Sequence, residues 1–120
     1  MNKAQVIPYF WNQFQWPAYD ENTVPDEAKA PIITFNNIIS KFEDNVMLNA
    51  DLWYRSKSWE TIEEKAAEIA ETIGYRWDCD IDNGKVHIYQ GSPFSQHMPD
   101  DDDSMRRIRI NIIVNFDTAI

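Results

Sequence analysis

One cysteine, three glycines and no long apolar run are found in the 120 residues of this chain. Each scarcity excludes something. Cys79 alone cannot close an intrachain disulfide, which rules out a disulfide-stapled secreted scaffold and a Cys/His zinc ribbon and points to a reducing compartment. Three glycines leave no phosphate-cradling glycine loop. No apolar stretch approaches the ~20 residues of a membrane span, and the start MNKAQVIPYFW lacks the unbroken apolar segment of a signal peptide, so a soluble protein without membrane contact is expected. Bases are scarce too. Eleven Lys and Arg against 20 acids give a net charge of −9 and a pI near 4.5, which argues against gripping nucleic acid through its phosphates. The length suits a single domain, residues 1–120, that buries roughly two thirds of its unfolded surface.

The charge is uneven along the chain. Residues 58–105 hold 12 acids and 3 bases, whereas 1–57 hold 7 and 5 and 106–120 hold 1 and 3, so the middle segment alone accounts for −9. A solvated acidic face explains this most simply; a surface built to meet another charged body is the sharper reading.

Periodicity predicts the elements. Val6, Ile7, Phe10, Trp11 and Phe14 are spaced for a short amphipathic helix over 3–16, with Pro8 opening or kinking it and Trp16-Pro17 ending it. Residues 17–31, with three prolines and no periodicity, read as a loop. Ile32 to Ser40 reads as a strand, Glu43 to Asn45 as a turn, and the run from Val46 to Ser56 alternates as a strand with one face buried. Ser58 is the expected N-cap of a helix Trp59 to Ile73 whose apolar stripe is Trp59, Ile62, Ala66, Ile69 and Ile73 and whose opposite face is acidic; Gly74 closes it. A loop to Asn83, a strand from Gly84 to Gln90, a long polar connection from Gly91 to Met105 and a final strand Arg106 to Phe116 complete the chain. The expected fold class is α+β, an antiparallel four-stranded sheet with two helices packed on it in the order α-β-β-α-β-β.

Candidate chemistry is sparse. Asp78, Asp80 and Asp82 alternate as in a calcium loop, but Asn83 occupies the position that needs glycine and Tyr89 the one that needs a bidentate Glu, so a charged turn is expected and no metal or cofactor is assigned. Cys79, His87 and His97 are the candidates for nucleophile and base, and no motif frames them, so no enzyme is expected. Asp100, Asp101, Asp102 and Asp103, followed by Arg106, Arg107 and Arg109, form an acidic loop beside a basic strand start; such a pair can meet its opposite on a neighbouring subunit. Met47 and Trp53, on the less apolar face of their strand, are the candidate exposed apolar contact. Reversing Arg107 and Arg109 to Glu is expected to block assembly and leave a folded monomer.

The segments FWNQFQWPAYDENTVPDEAKAPIITF (10–35), WYRSKSWETIEEKAAEIAETIG (53–74) and IYQGSPFSQHMPDDDDSMRRIRINIIVNFDTA (88–119) together resemble the tail terminator, or tail completion, proteins of long-tailed bacteriophages and prophages, across nearly the whole chain. The most specific part is Ile88 to Phe116. The resemblance implies a non-enzymatic virion protein, assembled in the host cytoplasm as a homohexameric ring on the neck-proximal end of the tail. Its implied partners are its own copies, the tube of major tail protein that it caps, and the head connector it joins, with DNA passing through unbound. A head-completion or stopper protein of the neck, or an acidic module for a basic partner, are the alternatives.

Overall fold

The computed structural model describes residues 1–37 and 45–118. A single 3-10 turn, Lys3–Gln5, leads into α1 (Val6–Trp11). Asn2 and Gln5 cap it reciprocally, each side chain accepting the other's backbone N–H at 3.1 and 2.9 Å. Pro8 lies in the first turn of α1, where its missing N–H costs no intrahelical bond. The rest follows as β1 (Ala18–Asp20), β2 (Ile32–Phe35), β3 (Asn45–Arg55), α2 (Glu60–Ile73), β4 (Trp77–Ile81), β5 (Gly84–Met98) and β6 (Met105–Thr118).

The expected antiparallel four-stranded sheet is corrected to a six-stranded mixed sheet in the order β1-β2-β3-β6-β5-β4, with β1 and β2 parallel and every other pair antiparallel. Two strands lie in segments that read as loops. β1 is only three residues long, too short for alternation to register, and Pro17 precedes it, whose carbonyl accepts the Ile33 N–H at 2.8 Å. β4 does alternate, with Trp77, Cys79 and Ile81 partly buried between exposed Asp78 and Asp80, but its carboxylates read as a turn. β5 runs eight residues past Gln90, through Gly91 and Pro93, because a bulge absorbs both: the register jumps from Gln90 opposite Ile112 to Ser95 opposite Ile110. There the Asn111 side chain donates to the Pro93 carbonyl at 2.9 Å in place of a ladder bond. Gly91 is required at this point, since a Cβ would sit 2.8 Å from the Asn111 carbonyl oxygen.

α2 starts one residue later than expected. Trp59 holds the N-cap position with no side-chain bond, while Ser58 Oγ still accepts the Glu60 N–H at 3.1 Å. Gly74 ends it at φ +56°, in the left-handed region that glycine tolerates. The strand ends expected at 38–40 and the turn at Glu43-Asp44 lie outside the described residues.

Both helices pack on one face of the sheet. Cross-strand pairs Leu48/Ile112, Ala50/Ile110 and Leu52/Ile108 form the centre of the core, covered by Ile62, Ala66, Ile69 and Ile73 of α2, while α1 and the residues after it add Val6, Ile7, Phe10, Trp11 and Phe14. Phe10 meets Trp11, Phe14 and Trp77 edge to face at 4.9 to 5.4 Å. No described helix covers the opposite face.

Candidate interaction surface

Alternation carries every second residue of the central strands to that open face. Met47, Asn49, Asp51, Trp53 and Arg55 of β3 stand opposite Ile113, Asn111, Arg109, Arg107 and Met105 of β6. Beyond β6, Tyr89 faces Ile113 and His87 faces Asn115. Three kinds of surface result.

One is an apolar row, Met47–Ile113–Tyr89, that crosses three strands directly. Met47 is 60% exposed, and its two neighbours are half-buried. Polar rows flank it: Asn115 donates to Asn45 at 2.7 Å on one side, and Asn36 and Asn49 bond each other on the other, with the Asn49 N–H meeting Asn36 Oδ1 at 3.0 Å.

A charged cluster comes next. Asp51 is only 8% exposed, and its two oxygens accept from Arg107 Nη2 at 2.6 Å and Arg109 Nε at 3.0 Å. The hydrogen bond from Arg109 to Asp51, reinforced by the charge attraction, holds the guanidinium above its ordinary pKa. Two cations share the Asp51 carboxylate, and the charge of Glu21 also acts on Arg109. Arg107 also lies 4.7 Å over the Trp53 ring, whose Nε1 donates to Thr34 Oγ1 at 3.0 Å.

At the end of the sheet, Trp53 and Ile32 border a cleft of about 540 Å³ with Ala28, Lys29, Ala30, Arg55 and Met105. Arg55 is bonded in turn at 2.9 Å to Asp102, which also accepts from the Ser104 hydroxyl at 2.7 Å. The Ser104 bonds and Arg55 hold the Asp102 carboxyl well below the usual carboxylate range.

The residues singled out from sequence therefore separate. Arg107 and Arg109 belong to Asp51, not to the aspartate loop. Arg106 points to the opposite, helix-bearing face, where it donates to the Lys57 carbonyl at 2.6 Å and lies 5.2 Å over Trp59. His97 stacks on that indole at 3.7 Å and contacts Glu63 at 2.8 Å, so Trp59 fastens the β5–β6 hairpin to the start of α2. Of the loop acids, Asp102 engages Arg55, the Asp103 carbonyl accepts from Arg106, and Asp100 accepts the Asp102 N–H. Met47 and Trp53 share a face but stand six residues apart, about 20 Å along the strand, in separate patches.

Cys79, His87 and His97 do not converge. Cys79 pairs with Val86 toward the helices and His87 with Asp78 toward the open face; burial, then Asp80, pushes the Cys79 thiol up. The three aspartates of the 78–82 segment also part company. Asp78 contacts His87 and Arg76, and the His87 bond, ahead of Arg76, lowers its pKa; Asp80 reaches toward Lys85 at 3.8 Å, and Asp82 meets the amino group of Met1 at 2.9 Å. Asp51 is the residue that sequence reading overlooked, since only the β3–β6 register brings it beside two arginines. Ile113 and Tyr89 were visible as alternating positions, but their union with Met47 needs the same register. No described helix is long and apolar enough to cross a membrane. The chain matches no protein-family model and no curated protein.

Proposed function

We propose that this chain is a non-enzymatic structural subunit of a virion, a ring-forming tail terminator that caps the tail tube, stops its growth and presents the surface joined by the head connector. The observation that carries the reading is the open sheet face, where a 60% exposed Met47 and half-buried Ile113 and Tyr89 lie in one row across three central strands. Apolar side chains lined up on an uncovered sheet are the chemistry of a surface completed by another protein. The resemblance of Ile88 to Phe116 to tail terminators supplies the partner class. A strongly acidic subunit also suits a ring through which DNA moves without adhering.

The test is the solution mass and a negative-stain image of the full chain, alone and with tubes of major tail protein. Rings on tube ends and arrested tube growth are expected. A chain that stays monomeric in both settings and never caps a tube overturns the reading.

A second reading, an acidic module that docks on a basic protein, draws on the exposed glutamates of α2. It predicts binding that weakens steeply with salt and no assembly with tail tubes.

A further inference from the structure

Backbone bonds at the far side of the sheet fix which groups of β5 point outward. Ile33 donates to the Pro17 carbonyl and the Phe35 carbonyl accepts from Glu21, so these residues turn their main chain toward β1, whereas Asn36 donates to the Asn49 carbonyl. Alternation carries that choice across the sheet. Asn49, Asp51 and Trp53 turn to β2, which leaves Leu48, Ala50 and Leu52 to bond Ile112, Ile110 and Ile108; Arg109 and Arg107 then bond Gln96 and Met98 of β5. The N–H and C=O of Ser95 and His97 therefore point away from β6. No described strand meets them, because β4 accompanies β5 only from Gly84 to Ile88. Two donors and two acceptors stand in a row at an open edge, the arrangement that an added strand completes. Pro93 and the bulge, features that normally shield an edge, come before Ser95 and leave it open.

The space beside this edge is open and its rim is acidic. α2 and β5 leave a groove of about 260 Å³ lined by Ala66, Ala67, Ala70 and Phe94, with Ser95 and His97 on its strand side. At about 100° per residue, Glu60, Glu64 and Glu71 fall within about 60° of Ala67 around the helix, on the solvent side of the groove. Their exposed carboxylates have no hydrogen-bond or ion-pair partner among the described residues. Glu63, in the groove itself, contacts His97. Cations do not cancel this rim. Lys65 lies on the other flank of α2, bonded to the Phe14 carbonyl and to Glu68. Arg106 and Lys57, at the start of the helix, are two cations against these four carboxylates, and Asp103 beside Arg106 adds another acid.

We infer that the β5 edge at Ser95 and His97 is a docking site for an extended, basic segment of another protein, which adds a strand to the sheet. Main-chain bonds to Ser95 and His97 hold the segment in register. Lys or Arg at its alternate positions lay their stems over the alanines of the groove and bring their charges to Glu60, Glu64 and Glu71. The chain's own basic run, Arg106 to Arg109, is built into the centre of its sheet, so the segment belongs to a different protein. The inference does not rest on the ring; it rests on the reading of the chain as an acidic module and gives that module its site and the form of its partner.

The probe is a short synthetic peptide alternating lysine and valine, compared with its fully N-methylated form and with a peptide alternating glutamate and valine. Calorimetry reads their affinity for the full chain at low and high salt, and amide exchange followed by NMR reads the site. The lysine peptide is expected to bind and to slow exchange at Ser95 and His97, whose amides are open in the free chain, while Gln96 and Met98 stay protected by β6 throughout. Ser95→Pro removes an N–H that β6 does not use and sets a ring in the path of the added strand, so binding about tenfold weaker or worse is expected. Circular dichroism verifies that this variant folds. N-methylation of the peptide is expected to cost as much with no change to the protein, and Glu64→Gln with Glu71→Gln to flatten the salt dependence. Binding that leaves exchange at Ser95 and His97 unchanged, or that ignores both Ser95→Pro and N-methylation, overturns the edge site and spares the acidic-module reading, which asks only for salt-dependent attraction. Equal binding of the glutamate peptide, or no binding of the lysine peptide at low salt, sinks both. Tube capping decides the terminator reading separately.

Discussion

Asp51 takes bonds from two guanidiniums while only 8% of its own surface meets solvent, and the shape of the open face depends on it. Asp51→Asn keeps the volume and removes the charge, leaving two half-buried cations side by side. The expected loss of stability is about 2–4 kcal/mol, at the lower side for a broken buried pair because the arginine side chains keep 22% and 32% exposure. Urea unfolding measures it, and an unchanged midpoint would show that the cluster contributes nothing. The same geometry revises the expectation for Arg107 and Arg109. Reversing both to Glu would gather three carboxylates where one is now buried, so unfolding would precede any effect on assembly. Met47 is the cleaner probe of the surface. None of this was legible in the residues alone, since Asp51 and Arg109 lie 58 positions apart and only the strand register joins them.

At the scale of elements, period and caps located what was long and regular. β3, α2 and the core of β6 follow from alternation over 11 residues or a stripe stepping by three and four, because burial of one face leaves a mark at every repeat. Short or interrupted strands leave fewer marks. β1 has three residues, β4 carries carboxylates at both of its outward positions, and β5 contains the glycine and proline that normally punctuate a strand. Gly91 tests the last case. In Gly91→Ala the new methyl meets backbone atoms of Asn111 at 2.8 to 2.9 Å, so β6 must shift, at a cost of about 1–3 kcal/mol. Thermal unfolding reads that cost. Hydrogen exchange should locate the loosened amides at 95–98, beyond the bulge, with 84–90 protected as before; uniform loss along β5 would mean that the two halves act as one strand.

For the molecule as a whole, the central position of β6 has a consequence in time. β6 follows every other strand along the chain yet lies between β3 and β5, hydrogen-bonded to both. Until it is made, the sheet exists as two separate halves, β1-β2-β3 and β5-β4, each with an open edge facing the missing strand. Such order makes closure late, dependent on contacts far apart in sequence, and exposed to pairing with other chains meanwhile. A chain ending at Ser104 is expected to lack cooperative unfolding, and adding a peptide of residues 105–118 should restore it; cooperative melting of the shortened chain would refute this. A chain so arranged completes its sheet in one final event, so its open face does not exist as a finished surface until its own last strand is in place.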